Sequence, residues 1–133
     1  MLSKSRVEDM MEQYMNWLKN GINIEELKDG WYVIGTPFLD ESYDGLCVYV
    51  KEEDGKLILS DDGYILNGMN ALWEESSELD RKRHQQAEVA IRSHQVDIVD
   101  GEMRDETDAE HFPIALHFFL RAMMDACDIL SIG

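Results

Sequence analysis

Asp40, Glu41, Asp44, Asp61 and Asp62 are the side chains of this chain whose type and spacing could do chemistry. Carboxylates are hard oxygen ligands, so several of them gathered within about 10 Å would suit Mg²⁺, Mn²⁺ or Ca²⁺. A cation held by Asp40, Asp44, Asp61 and Asp62 could activate water against a phosphodiester or similar bond, the chemistry of a nuclease-like hydrolase. The same five residues also occupy turn and cap positions, where Asp is favoured for local backbone reasons. Such an enzyme would gain from a lysine beside its acids, and neither Lys51 nor Lys56 falls at that end of the expected sheet. Turn and cap chemistry is therefore the stronger explanation; no catalytic residue is assigned and no cofactor is required.

The elements that must position these acids lie in residues 31–63. Three β-rich runs, Trp31-Tyr32-Val33-Ile34, Leu46-Cys47-Val48-Tyr49-Val50 and Leu57-Ile58-Leu59, are separated by turns at Asp44-Gly45 and Asp54-Gly55. Asp-Gly between β-branched and apolar runs is a strong hairpin signal, and two reversals in succession predict a three-stranded antiparallel meander. In a meander the loop holding Asp40, Glu41 and Asp44 returns to the same end as Asp61 and Asp62. Pro37 lacks an N–H and suggests an edge position or a strand end.

Around this sheet the pattern turns helical. Val7, Met10, Met11, Tyr14, Met15, Trp17 and Leu18 recur at spacings of three and four, which predicts a helix over residues 4–19 packed by its stripe on the sheet. Ile65, Leu66, Met69, Leu72 and Trp73 predict a second helix, N-capped by Asp61 or Asp62. Ser77 and Asp80 resemble a capping box opening a third, with Leu79, Ala87, Ala90, Ile91 and His94 on its buried side. Residues 96–99 and 102–104 flank Asp100-Gly101 as a short hairpin. A long C-terminal helix begins near Pro113, with Thr107 and Glu110 capping a turn before it and Arg121 paired with Asp125. It is apolar almost all round, so it is either central to the core or shared with a second copy. The whole reads as one α+β domain over 1–133.

The chain of 133 residues carries 28 acidic and 12 basic side chains, a net charge of −16. Residues 97–110 hold seven acids against Arg104 alone. A field of this sign repels phosphates, so direct nucleic acid binding is not expected. Arg81-Lys82-Arg83 reads as a solvated helix face. The four histidines lack a spacing that would bring two onto one face, which argues against zinc. Cys47 and Cys127 sit in separate apolar stretches and read as buried free thiols of a reducing compartment. No apolar run is long enough to span a bilayer, no cleavage site follows the N-terminal helix, and a cytoplasmic location is expected. No G-x-S-x-G elbow, Walker loop or G-x-G-x-x-G is present.

The TPFLD segment (Thr36 to Asp40), the Tyr43-Asp44-Gly45 turn, the strand Leu46 to Val50 and the LSDDGY segment (Leu59 to Tyr64) resemble an uncharacterised family of small bacterial and prophage proteins, over roughly residues 29–125. The resemblance implies an α+β domain met among phage or prophage genes and carries no activity, cofactor or catalytic residue. The functional expectation is a phage- or prophage-encoded accessory protein, non-enzymatic, that binds a host or phage protein and pairs with itself through its C-terminal helix. The metal-dependent hydrolase is the alternative.

Overall fold

Alternating side chains set the two faces of the sheet, and long-range pairing sets its width. The computed structural model describes residues 1–39, 45–68 and 78–131. Its elements are α1 (Lys4–Asn20), β1 (Asn23–Glu26), β2 (Trp31–Leu39), β3 (Gly45–Glu53), β4 (Lys56–Ser60), a π-helical turn (Tyr64–Gly68), α2 (Glu78–Ser93), β5 (Asp97–Val99), β6 (Glu102–Thr107) and α3 (Phe112–Ser131). The strands form one six-stranded antiparallel sheet in the order β1-β2-β3-β4-β6-β5. Three strands were expected there. The hairpin β5–β6, expected as a separate unit, joins the sheet because β6 pairs with β4, Leu59 opposite Asp105 and Ser60 opposite Arg104. β1 extends the other side, with Ile24 opposite Ile34.

Period-2 alternation places Leu46, Val48 and Val50 of β3 on the core face, with Leu59 of β4, Met103 of β6 and Ile98 of β5. Helices cover that face. α3 inserts Phe119, Leu120, Ala122, Met123, Ala126, Cys127 and Leu130, and α2 adds Ala87 and Ile91. The opposite face is more open: Trp31, Cys47, Tyr49, Lys51, Glu102 and Arg104 are each half-buried. Lys51 lies over the Trp31 ring, its ammonium 5.6 Å from the centroid.

Pro37 meets the expectation of an edge position or strand end: it sits near the end of β2, where β1 has run out and where the β2–β3 register shifts between Gly35 and Leu39, so no ladder bond is lost. Several other local expectations change in the structure. Of the helix expected from Ile65, the described residues show a π-helical turn, with Ile65 and Leu66 buried; Met69, Leu72 and Trp73 lie outside the described residues, as does Ser77. Leu79 is exposed rather than buried, being in the first turn of α2, ahead of its buried Ala87 and Ile91. The turn before α3 is capped by Asp108 in place of Thr107, since Thr107 still pairs with Leu57 in the sheet while Asp108 Oδ1 accepts from the His111 N–H at 2.8 Å. Asp125 meets His94 Nε2 at 2.6 Å in place of Arg121, tying the end of α2 to α3. The largest difference is α1. Ser3 caps it by accepting from the Arg6 N–H at 3.2 Å, yet the helix has no buried residue.

Candidate functional site

The acid-bearing rim can be built from β4 outward. β4 ends at Ser60, and its exit passes directly into Asp61, Asp62 and Gly63. Asp61 is fully buried. Its Oδ1 accepts from the Gly63 N–H at 2.8 Å and the Met103 N–H at 2.9 Å, and its Oδ2 accepts from the Ile65 N–H at 3.0 Å. Its own N–H donates to the Met103 carbonyl at 3.3 Å. One side chain therefore starts the turn after β4 and fastens β4 to β6. Burial pushes the Asp61 carboxyl above its usual range, outweighing the three N–H donors that favour its ionised form, and Glu102 nearby adds to the rise.

Asp62 points the other way and is exposed, its backbone in the left-handed region at φ 56°. Its N–H donates to Ser60 Oγ at 2.9 Å, and Ser60 Oγ in turn donates to Glu102 Oε1. Asp62, Ser60 and Glu102 line a hollow of about 430 Å³ on the open face of the sheet, with Trp31, Tyr49, Leu27, Lys28 and Arg104. A smaller hollow of about 190 Å³ beside it is lined by Gly45, Cys47, Tyr49, Asp61 and Tyr64. Asp40, Glu41 and Asp44 lie outside the described residues. Gly45, the residue that follows them, shares the smaller hollow with Asp61.

The chemistry open to these groups is limited. Burial raises the Tyr49 phenol, helped by Asp62, Cys47 and Asp61, and burial alone raises the Cys47 thiol. Both are held protonated at neutral pH, so neither is poised as a nucleophile or a base. Ser60 is buried and engaged at both ends of its hydroxyl. Among the described residues no group of three His, Cys, Asp or Glu is placed to hold a metal ion. The larger hollow sets two cations, Lys28 and Arg104, against two acids, Asp62 and Glu102, beside the rings of Trp31 and Tyr49.

A family model described as Domain of unknown function DUF1828 matches residues 36–125. The chain belongs to this family. No curated protein and no solved structure matches the chain. The span of the DUF1828 domain opens within β2 and closes within α3, so α1 and β1 precede it. Asp61, Asp62 and both hollows' β3, β4 and β6 residues fall inside it, while Leu27, Lys28 and Trp31 do not. Among the described residues no helix is long and apolar enough to cross a membrane.

Trp31, Tyr49 and Arg104 of the larger hollow were not singled out from the sequence. The signal for two of them was present: Trp31 and Tyr49 occupy outward positions of strands that alternate, and Val33 opposite Tyr49 places them on one face. Arg104 needed the β4–β6 pairing, which periodicity does not reveal.

Proposed function

We propose that this DUF1828 protein is a non-enzymatic accessory protein, encoded by a phage or prophage, that binds a basic host or phage protein through its acidic surface. The observation that carries the reading is the distribution of charge at one edge of the sheet. On β5, β6 and the turn into α3, Asp97, Asp100, Glu106, Asp108 and Glu110 are exposed, with Arg104 the one cation of that stretch. Glu106 meets Lys56 at 3.7 Å, an exposed pair of little energetic consequence. Such an edge, on a chain of net charge −16, speeds encounter with a basic partner and rejects nucleic acid. The groups of the open face support a binding role too, since Tyr49 and Cys47 are held neutral and Asp61 is turned inward.

The test is capture from cell lysate at low salt with two baits, the natural chain and a variant carrying Asp97→Asn, Asp100→Asn, Glu106→Gln and Glu110→Gln. The natural bait should retain basic proteins that leave between about 0.1 and 0.5 M salt, and the variant should lose them. Retention indifferent to both salt and the four substitutions refutes the reading. The alternative is a metal-dependent hydrolase centred on Asp40, Asp44, Asp61 and Asp62; for it Asp61, fully buried and accepting three backbone N–H groups, would have to turn toward the cation.

A further inference from the structure

Among the described residues, α1 presents an amphipathic stripe with no counterpart in its own domain. Val7, Met10, Met11, Tyr14, Met15 and Trp17 are 39% to 58% exposed, and among the described residues α1 packs extensively on no other element. Gly21 brings its C-terminal end so close to Pro37 that an added Cβ would stand 2.9 Å from the proline's Cβ. An apolar stripe left open to water marks a contact surface.

We propose that this surface pairs with a second copy of itself, the two α1 helices lying antiparallel across a twofold axis. Charge selects that occupant. The 17 residues of α1 hold three cations, Lys4, Arg6 and Lys19, and three anions, Glu8, Asp9 and Glu12, so the helix is neutral while the rest of the chain carries the whole −16. A basic partner has no electrostatic reason to choose α1, whereas two strongly negative copies can meet there without placing like charges in contact. With Val7 and Tyr14 at the a positions of a heptad, Met10 and Trp17 fall at d, and Met11 and Leu18 at e. Glu8, Asp9, Glu12 and Lys19 fall at b, c and f, away from the seam, as does Met15 at b, while Lys4 and Arg6 flank it at e and g near the helix's first turn. Antiparallel packing then sets Val7 against Trp17 and Met10 against Tyr14, each contact repeated by the twofold axis. Tyr14 and Trp17 are already stacked, their centroids 6.3 Å apart, which pre-orders the broadest part of the seam.

Area agrees with a weak pairing. The five exposed side chains at a, d and e, Val7, Met10, Met11, Tyr14 and Trp17, offer on the order of 500 Å², at the lower edge of the roughly 600–1,000 Å² that each partner contributes to a standard interface. α3, by contrast, buries seven residues within its own protomer and leaves Ile114 and Phe118 outside. The pairing is independent of the basic partner proposed above, and either can fail alone.

Sedimentation of the full chain between about 1 and 300 μM tests it by mass action. The natural chain should pass from monomer to dimer, and pairing should strengthen from about 0.05 to 0.5 M salt as repulsion between the copies is screened. Met10→Glu with Trp17→Glu should raise the dimer dissociation constant at least about tenfold while leaving the unfolding midpoint of the dilute monomer unchanged. Ile114→Glu with Phe118→Glu should leave the dimer intact. A natural chain monomeric at every concentration and salt overturns the proposal. So does a dimer that tolerates the α1 pair, weakens with salt, or is abolished by the α3 pair.

Discussion

Replacing Asp61 should unfold this domain more readily than replacing any other acid, and the geometry says by how much. Asp61→Ala strands three buried N–H donors, those of Gly63, Ile65 and Met103, which the carboxylate now satisfies at 2.8 to 3.0 Å. Leaving a buried donor unpaired costs about 1–3 kcal/mol, and loss of the buried charge returns part of that sum, so a net destabilisation of about 3–5 kcal/mol is expected. Asp61→Asn keeps an oxygen that can serve Gly63 and Met103 but turns an amide N–H toward the Ile65 N–H, so about 1–3 kcal/mol is expected. Acidity gives an independent handle. Burial raises this carboxyl above its ordinary 3.8, so the folded state binds the proton more tightly than the unfolded one. Its contribution to stability is thus greatest below 3.8, falls as pH climbs through the window up to the raised value, and is constant beyond. Urea denaturation followed by circular dichroism at several pH values, on the natural chain and both variants, measures all of this. Asp61→Ala within about 0.5 kcal/mol of the natural chain, or a stability difference from Asp61→Asn that ignores acid pH, would refute the account of Asp61 as the fastening of β4 to β6.

Two contrasts extend the test to turns and core. Gly55 and Gly101 both have positive φ, 78° and 81°, but a Cβ on Gly55 meets nothing within 4 Å whereas one on Gly101 clashes with the Asn67 carboxamide. Gly55→Ala should cost about 1–2 kcal/mol from backbone strain alone and Gly101→Ala slightly more, because the exposed Asn67 carboxamide must swing off the Asp100 carbonyl, read from the same urea midpoints. Phe119 is fully buried at the centre of α3 and Val89 is 69% exposed on α2, so Phe119→Ala should cost about 3–5 kcal/mol and Val89→Ala under about 0.5.

What could be read from the chain was whatever local chemistry decides. The β3–β4 hairpin is written in Asp54-Gly55, whose two residues take φ of 53° and 78° as an Asp-Gly turn between strands requires. The cap role of Asp61 is likewise local, an acid just ahead of free backbone amides. Its second role is not, because Met103 lies 42 residues away and nothing in the spacing announces that β6 will lie beside β4. β1 escaped notice for a related reason: Asn23-Ile24-Glu25-Glu26 is wholly exposed, so it carries no burial pattern, and only its ladder with β2 makes it a strand. Ile65 and Leu66, the two residues of the expected apolar helical face that are described, are both buried in the π-helical turn. For α1 the period identified the stripe, but a stripe reports only that something covers it.

The acids of this chain divide by cause, and the division decides how charge can be tested. Asp29, Asp54, Asp62 and Asp100 each take a left-handed backbone conformation immediately before a glycine, so turn chemistry alone accounts for their being Asp. Asp108 caps the turn into α3, where His111 holds its carboxyl below the usual range through backbone and side-chain hydrogen bonds. Asp61 is internal. A partner nevertheless responds to every exposed charge irrespective of why it is there, because the potential sums over all of them and any one is screened beyond about 8 Å at physiological salt. Removing a single turn acid therefore barely changes the field, while removing Asp61, which adds nothing to the surface, removes the joint between two strands. On the proposed reading, partner binding and fold should respond to different acids: substitutions spread over the β5–β6 edge should weaken association without melting the domain, and Asp61→Asn should lower stability while leaving the exposed acids as they are.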